Sequence, residues 1–384
     1  MSHILFYTDS YGIYGVEPCN HTLRHALGDA GYEVSFVQSS EKFFQSQLNS
    51  EFFEHEGQGL QFQDQVKDLF LAKSPDLILF SDTSPFANLW AKQAAIELGI
   101  PYFISVHGSN PKWAETYAEW IPKLPDIYQK AQTVIGSSQS TLDLLNGIFR
   151  LPFDRGAVIY NGLSPLAFET ANLGSQAEIR EELNIPAEAI VCFTVANLSK
   201  AGGIEHLLQA ASELKQRPNI DDLYFLWMDT GDHKTEISER LDVLGLSDWV
   251  HIIPFRTDVS RLFDCADIYV ASTEFEGLSL CVMQAMAKGI PVIASSVGDL
   301  PEIIDESSFL LPNPVWGPIG RVLAKTILWM TESKELRIEV GEAGKKRAAQ
   351  FFEEEAMVNS YLTIIGALLN RLSTKEKMTV PSGS

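Results

Sequence analysis

A strand–turn–helix–strand pattern in residues 267–305 constrains the fold of this chain more than any other stretch. The apolar run Ile268–Val270 predicts a buried strand, and the apolar segment Leu280–Lys288 predicts a buried helix that ends at Gly289. Glu276 lies in the turn between them, ahead of the first helical amides. Those amides are unpaired donors at the positive end of a helix, so the pattern predicts an anion-binding site in a parallel α/β sheet.

Strand–helix units recur along the chain and form two successive arrays. We predict a first domain over residues 1–168, a linker over 169–176 and a second domain over 177–349, because 384 residues exceed what one hydrophobic core usually serves. The predicted strands end in small polar or ionisable residues: Asp9, Asp82, His107, Ser137, Asn197, Asp229 and Ser272. Parallel α/β sheets bind ligands at the carboxyl ends of their strands, so we expect these two edges to face each other across a ligand-binding cleft.

Composition excludes several classes of partner and compartment. The formal net charge of −21 argues against nucleic acid and against docking on an anionic membrane. The chain shows no signal peptide and no apolar run long enough for an integral membrane segment. The cysteines are scattered without metal-ligand spacing, as expected of reduced thiols in a cytoplasmic protein: Cys19, Cys192, Cys265 and Cys281.

The central stretch carries a resemblance to a known family. Glu276 is followed after seven residues by Gln284 and then by Ala-Met-Ala-Lys-Gly-Ile-Pro-Val. This resembles the signature of the retaining GT-B glycosyltransferases of the family 4-like, "group 1" class, which has a second Glu at position 284. The resemblance implies an α/β fold of two Rossmann-like domains. It also implies that the final helix, 350–372, returns to the first domain, and the polar end of the chain predicts a disordered tail over 373–384.

The same resemblance implies roles for individual residues. Glu276 would bind hydroxyls of the donor sugar, position 284 would meet the ribose, and His107 would lie beside the transferred sugar. We therefore take His107 and Glu276 as the candidate catalytic residues. The resemblance also implies that backbone amides meet the sugar and the distal phosphate: Gly277, Leu278, Ser279 and Leu280.

The chain departs from the family pattern where the donor phosphates are expected. Gly15 stands in a first loop that has lost one of its usual glycines, and Asn197 stands at the position of an Arg. Gly202 occupies the position of a Lys, although Lys200 could supply a charge from two residues earlier. Arg256 is a further candidate for the missing phosphate cation, and a surface ion pair is at least as good an explanation for it.

The resemblance implies transfer of a sugar from a nucleotide diphosphate sugar, with retention, to an unidentified glycan or small-molecule acceptor. It implies no metal and no cofactor beyond the sugar nucleotide as co-substrate, and no Asp-x-Asp metal motif is present. The alternative is a GT-B-fold protein that binds a nucleotide sugar or glycan without turnover, which Asn197, Gly202 and Gln284 support. A third interpretation is phosphorolysis or epimerisation on the same fold.

Overall fold

A computed structural model describes residues 1–10, 16–39, 51–53, 60–152, 155–169, 173–218, 220 and 222–379. The chain forms two compact units. The first unit comprises Met1–Gly162 and the C-terminal segment from Glu354, and the second comprises Leu163–Glu353. Within the described ranges, no helix is long and apolar enough to cross a membrane.

The first unit is built on a parallel sheet. Its described strands are β1 (His3–Thr8), β2 (Glu33–Ser39), β3 (Glu51–Phe53), β4 (Leu77–Asp82), β5 (Tyr102–Val106), β6 (Val134–Gly136) and β7 (Gly156–Val158). They lie in the order β3-β2-β1-β4-β5-β6-β7, and every neighbouring pair is parallel. All residues of β1 and β4 are buried, which explains why a parallel sheet covered on both faces appears in the sequence as mainly apolar runs.

Helices connect the strands of the first unit and cover the sheet. They are α1 (Glu17–Asp29), α2 (Leu60–Lys73), α3 (Leu89–Leu98), α4 (Trp113–Thr116), α5 (Leu124–Lys130) and α6 (Gln139–Gly147). One core joins Tyr7 and Phe80 on the strands to Phe70 on α2, Ala94 on α3 and Tyr128 on α5.

The second unit has its own parallel sheet. Its described strands are β8 (Ile190–Ala196), β9 (Leu223–Asp229), β10 (Val250–Pro254), β11 (Ile268–Ala271), β12 (Val292–Ser295) and β13 (Phe309–Leu311). Their order is β10-β9-β8-β11-β12-β13. The helices are α7 (Leu173–Glu182), α8 (Ile204–Lys215), α9 (Lys234–Leu244), α10 (Val259–Leu262), α11 (Leu280–Ala287), α12 (Leu300–Ile304), α13 (Gly320–Glu332) and α14 (Lys334–Phe351). The core lies between this sheet and the helices around Trp227, Leu207 and Leu323.

Both sheets reverse their strand order at one point, between β1 and β4 in the first unit and between β8 and β11 in the second. Doubly wound sheets bind ligands beside such a switch point, at the carboxyl ends of the strands. The two Rossmann-like domains predicted from the sequence are therefore confirmed. His107 follows β5 in the first unit, whereas Asn197 follows β8 and Glu276 follows β11 in the second.

The ends of the predicted segments differ from the structure. The units divide after Gly162 rather than after Phe168, because the Leu163 amide donates to the Phe352 carbonyl oxygen at 2.7 Å inside the second unit. Helix α7 begins at Leu173, inside the predicted linker.

The last helix, α15 (Glu354–Thr379), belongs to the first unit and continues through most of the predicted disordered tail. The prediction of disorder from residue 373 is thus wrong up to Thr379. The segment is polar, but it contains good helix formers and no helix breaker before Pro381.

Candidate functional site

The turn between β11 and α11 places Glu276 just before a helix N-terminus. Ser279 is the N-cap of α11, and its hydroxyl oxygen accepts a hydrogen bond from the Val282 amide at 3.5 Å. The same hydroxyl bonds the Glu276 carboxylate. Gly277 and Leu280 are partly exposed beside it, whereas Leu278 is buried. The structure therefore brings together the carboxylate and the helix-start amides that the sequence singled out.

A neighbouring loop locks the backbone of this turn. Gly298 follows β12 with a φ of +52°, and a Cβ there would lie 1.7 Å from the carbonyl oxygen of Glu276. The Asp299 amide donates to that oxygen at 3.4 Å. Only glycine fits so close an approach in a left-handed conformation, so Gly298 is part of what fixes the position of Glu276.

Burial controls the charge of Glu276. Loss of water, together with the nearby Asp299 carboxylate, raises its pKa from 4.5 to about 7, although the Ser279 hydroxyl works in the opposite direction. Burial and then the Glu276 charge likewise raise the pKa of the Cys281 thiol to about 12. Around neutral pH this carboxyl group is partly protonated and can both donate and accept hydrogen bonds.

Gln284 lies one helical turn beyond Leu280 and therefore on the same face of α11. Its Oε1 atom is buried and has no hydrogen-bond partner among the described residues. Buried acceptors in folded proteins are nearly always paired, so an orphan acceptor beside the Glu276 turn is best explained as a position for a ligand hydroxyl or amide.

The loop after β8 packs against the end of β11. The Glu274 amide donates to the Ala201 carbonyl oxygen at 2.9 Å. Gly203 has a φ of +83°, and a Cβ there would lie 2.0 Å from the Ser272 carbonyl oxygen. These contacts bring the segment from Lys200 to Gly203 beside the Glu276 turn, at the switch point of the second sheet.

Asp229, at the end of β9, holds two loops together. Its carboxylate accepts the backbone amides of Leu198 at 3.1 Å, Gly231 at 3.0 Å and His233 at 2.8 Å. Burial alone would raise the pKa of Asp229, but these three donors outweigh burial and lower it. The polar end of this strand therefore organises the loop that carries Asn197.

The structure explains why position 202 is not a lysine. A Cβ at Gly202 would lie 1.7 Å from the carbonyl oxygen of Asn197, so any side chain there would displace the backbone. The missing lysine is thus a consequence of how tightly residues 197–203 fold. Lys200, in contrast, is exposed and forms no ion pair within the described ranges, while Asn197 is also exposed.

Arg256 is already bound by carboxylates. Its guanidinium donates two hydrogen bonds to Asp258, at 2.8 and 2.7 Å, and it also contacts Glu182. These carboxylates raise the pKa of Arg256. The ion-pair interpretation of Arg256 fits the structure better than that of a free phosphate cation. Arg256 follows the edge strand β10, which is separated from β11 and the Glu276 turn by strands β9 and β8.

His107 belongs to a separate cluster in the first unit. Its Nδ1 atom lies 3.1 Å from Asn161 Oδ1, and its Nε2 atom lies 3.0 Å from Ser81 Oγ and 3.3 Å from Ser105 Oγ. These partners are almost fully buried and uncharged. Burial lowers the pKa of His107 to about 4, so its imidazole is neutral at physiological pH.

Some of these residues were missed by the sequence analysis. Ser81 and Ser105 interrupt the apolar strands β4 and β5, which is a weak signal of a polar partner. Tyr361, whose hydroxyl lies 2.6 Å from Ser105 Oγ, comes from the last helix and gave no signal. Gly15, predicted to contact the donor, lies outside the described residues. In the part of the chain that the structure describes, no cluster of His, Cys, Asp or Glu is arranged to hold a metal ion.

Comparison with known proteins identifies relatives for both units. The profile of the family described as "Glycosyl transferases group 1" matches residues 175–347, and that of "Glycosyltransferase Family 4" matches residues 13–165. A similar curated protein over the full length is the N-acetyl-alpha-D-glucosaminyl L-malate synthase of Bacillus anthracis, 22% identical over 92% of each chain. An uncharacterized glycosyltransferase of Methanocaldococcus jannaschii is 30% identical, but the match covers 49% of this chain and 47% of that protein.

Solved structures share the fold. HepE of Anabaena, determined in complex with UDP-glucose, superimposes with a TM-score of 0.78 at 18% identity, covering 96% of this chain and 100% of HepE. The sucrose-phosphate synthase of Thermosynechococcus elongatus also gives a TM-score of 0.78, at 18% identity over 97% and 100% of the two chains.

Proposed function

Because this chain belongs to the group 1, family 4-like glycosyltransferases with the GT-B fold, we propose that it transfers a sugar from a nucleotide diphosphate sugar to a glycan or small-molecule acceptor, with retention of the anomeric configuration. We assign the second unit to the donor and the first unit, with His107, to the acceptor. We also propose that the reaction needs no metal and takes place in the cytoplasm, in keeping with four free cysteines.

The observation that carries this proposal is the arrangement around α11. A half-buried carboxyl group, a helix N-terminus and an orphan acceptor, Gln284 Oε1, lie in sequence along one short segment. Helix-start amides suit a phosphate. A carboxyl group with one protein hydroxyl as its partner suits the hydroxyls of a sugar, and the Gln284 acceptor suits a ribose hydroxyl.

The negative charge on the leaving diphosphate would be stabilised mainly by backbone amides. Lys200 lies in the loop that contacts the Glu276 turn, and it is exposed and forms no ion pair within the described ranges. Arg256, in contrast, is bound by carboxylates, and position 202 accepts only glycine. Preorganised amide dipoles can stabilise a leaving diphosphate without reorganising during the reaction. These features support transfer, but the scarcity of cations also supports binding without turnover as the competing function.

The test begins with thermal shifts in the presence of UDP-glucose, UDP-N-acetylglucosamine, GDP-mannose and ADP-glucose. A ligand present at about 100 times its Kd adds roughly 2.7 kcal/mol of stability, so the cognate donor should raise Tm by several degrees. The stabilising donor is then incubated with the protein and a panel of glycan and small-molecule acceptors, with and without EDTA, and release of the nucleoside diphosphate is followed. Retention is read by NMR of the product anomer. Stabilisation without any turnover would favour the binding function, and the absence of stabilisation by every donor would contradict both.

A further inference from the structure

We propose that Tyr361, on the C-terminal helix α15, is a positioning residue that fixes the ring of His107 through the hydroxyl of Ser105. The inference rests on the proposed function only in assuming that His107 contacts the substrate. Its structural content, the orientation and protonation of one imidazole, is independent of any activity.

The three side chains form a continuous hydrogen-bonded chain. Tyr361 Oη lies 2.6 Å from Ser105 Oγ, and Ser105 Oγ lies 3.3 Å from His107 Nε2. Tyr361 is 3% exposed and Ser105 is 1% exposed, so water does not compete for either bond. Ser105 lies on β5, two residues before His107, whereas Tyr361 comes from a helix that follows the entire second unit.

The donor and the acceptor of each hydrogen bond between Tyr361, Ser105 and His107 can be assigned. The amide oxygen of Asn161 can only accept, so the Nδ1 atom of His107 carries the proton. In a neutral imidazole the Nε2 atom must then accept a hydrogen bond. Ser81 lies 3.0 Å from it, but the Ser81 hydroxyl donates to Asn20 Oδ1 at 2.8 Å. Ser105 is therefore the donor to Nε2, and Tyr361 must donate to Ser105.

The groups that form hydrogen bonds with the His107 ring are uncharged. The hydrogen-bond partners of the His107 ring in the described ranges are hydroxyls and an amide, with no carboxylate among them. The titratable group facing Tyr361 is Cys19 on α1, and Cys19 is itself faced by Glu17 and Glu354. Burial raises the pKa of Tyr361 and that of Cys19, so both stay protonated and neutral. The ring is thus held by directional neutral bonds, and the Tyr361 hydroxyl determines which way Ser105 points.

The first experiment measures His107 by NMR in protein carrying 15N-labelled histidine. In the natural protein we expect the Nδ1–H tautomer and protonation near pH 4. Tyr361→Phe removes one oxygen and frees the Ser105 hydroxyl to turn and accept from Nε2. We therefore expect a mixed tautomer and a His107 pKa displaced toward the ordinary value of about 6.5.

Tyr102→Phe is the matched control. Tyr102 is 2% exposed in the same unit, and its hydroxyl donates to the Ile127 carbonyl oxygen at 2.6 Å, with no link to His107. It should lower Tm about as much as Tyr361→Phe and leave the His107 signals unchanged. Equal His107 responses in the two variants would overturn the proposal.

A second variant tests the path through Ser105. Ser105→Ala removes the hydroxyl that links Tyr361 to His107 without changing α15, so adding Tyr361→Phe to it should leave the His107 signals unchanged. A full Tyr361→Phe effect in the Ser105→Ala background would show that Tyr361 only packs against the strand. With UDP-glucose as the probe, kcat should fall roughly tenfold in Tyr361→Phe while KM stays within about twofold. If none of the four sugar nucleotides is turned over, the proposed function fails, but the NMR result still decides the role of Tyr361.

Discussion

His107 in the first unit and Glu276 in the second are both ionisable residues that follow a buried strand, and burial favours the uncharged form of each. It lowers the pKa of His107 to about 4 and raises that of Glu276 to about 7. They differ in their partners. Both ring nitrogens of His107 are bonded within the protein, whereas the described residues offer the Glu276 carboxylate one hydroxyl, that of Ser279.

This difference indicates that the position of His107 is fixed by the protein, whereas Glu276 has hydrogen-bonding capacity left for a ligand. A side chain whose polar atoms are all paired gains little by exchanging a protein partner for a substrate. A half-buried carboxyl group with few partners, close to the orphan acceptor of Gln284, gains much from sugar hydroxyls. We therefore expect chemistry and donor affinity to depend most strongly on the Glu276 region.

The largest effect should come from Glu276→Gln. This change keeps the shape of the side chain but removes its charge and one acceptor, so donor turnover should fall by about a hundredfold or more. The measurement is kcat/KM for the donor identified by thermal shift. Glu274→Gln, which changes a half-buried carboxylate in the same turn, is the control and should retain most activity. Similar losses of kcat/KM in both variants would show that Glu276 contributes no more to turnover than a neighbouring carboxylate.

The same variant gives a pH signature. The pKa of Glu276 is raised on folding from 4.5 to about 7, so its stabilising contribution is complete below pH 4.5 and is lost as pH rises through 7. The Tm of the natural protein should therefore fall relative to that of Glu276→Gln between pH 5 and pH 8. Parallel Tm curves over this interval would show that the carboxyl group titrates normally.

A smaller loss is expected from Gly298→Ala. The added Cβ would meet the Glu276 carbonyl oxygen at 1.7 Å and displace the turn, so kcat/KM should fall roughly tenfold and Tm should drop. Gly245→Ala is the matched control, because Gly245 has a φ of +66° with no atom within 4 Å of the added Cβ. Both variants incur the left-handed backbone cost of about 1–2 kcal/mol, so the loss of activity and any further fall in Tm in Gly298→Ala report the clash with Glu276. Full activity in Gly298→Ala would mean that the turn tolerates displacement.

The smallest effect should come from Gln284→Ala. Loss of one neutral hydrogen bond of about 1 kcal/mol should weaken binding of the donor identified by thermal shift by about fivefold. Gln284→Glu should also fail to tighten binding, because it adds a carboxylate beside a diphosphate with few cations. Calorimetric titration measures both variants, with the exposed Gln216→Ala in the same unit as control. Tighter binding by Gln284→Glu would contradict this view of the site.

The sequence predicted those features that depend on local pattern. Buried parallel strands such as β1 and β4 are long apolar runs, and their ends carry the polar residues that face ligands. The turn at Glu276 and the start of α11 at Leu280 were predicted for the same reason, since turn, cap and helix lie close together in the chain.

Features that depend on distant contacts could not be predicted. The glycine at 202 suggested a lost cation, whereas the structure shows a backbone contact with Asn197 that excludes any side chain. Arg256 is bound by Glu182 at the end of α7, and Tyr361 contacts Ser105 from the C-terminal helix α15. No local pattern contains such pairings, because they arise only when the sheet and its helices have assembled.

The position of α15 has a consequence for how the protein is made. The first unit is interrupted in sequence by the whole second unit, yet Gly162 donates to Met357 Sδ at 3.2 Å and Thr22 donates to Glu354 at 3.4 Å. During synthesis from the N-terminus, domains generally fold as they emerge. Here the first unit emerges without its last helix and must wait, with the surface around Cys19 and Ser105 uncovered, until the second unit has been translated. The first unit thus begins to emerge from the ribosome before the second, but its fold can be completed only after the second unit has been synthesised.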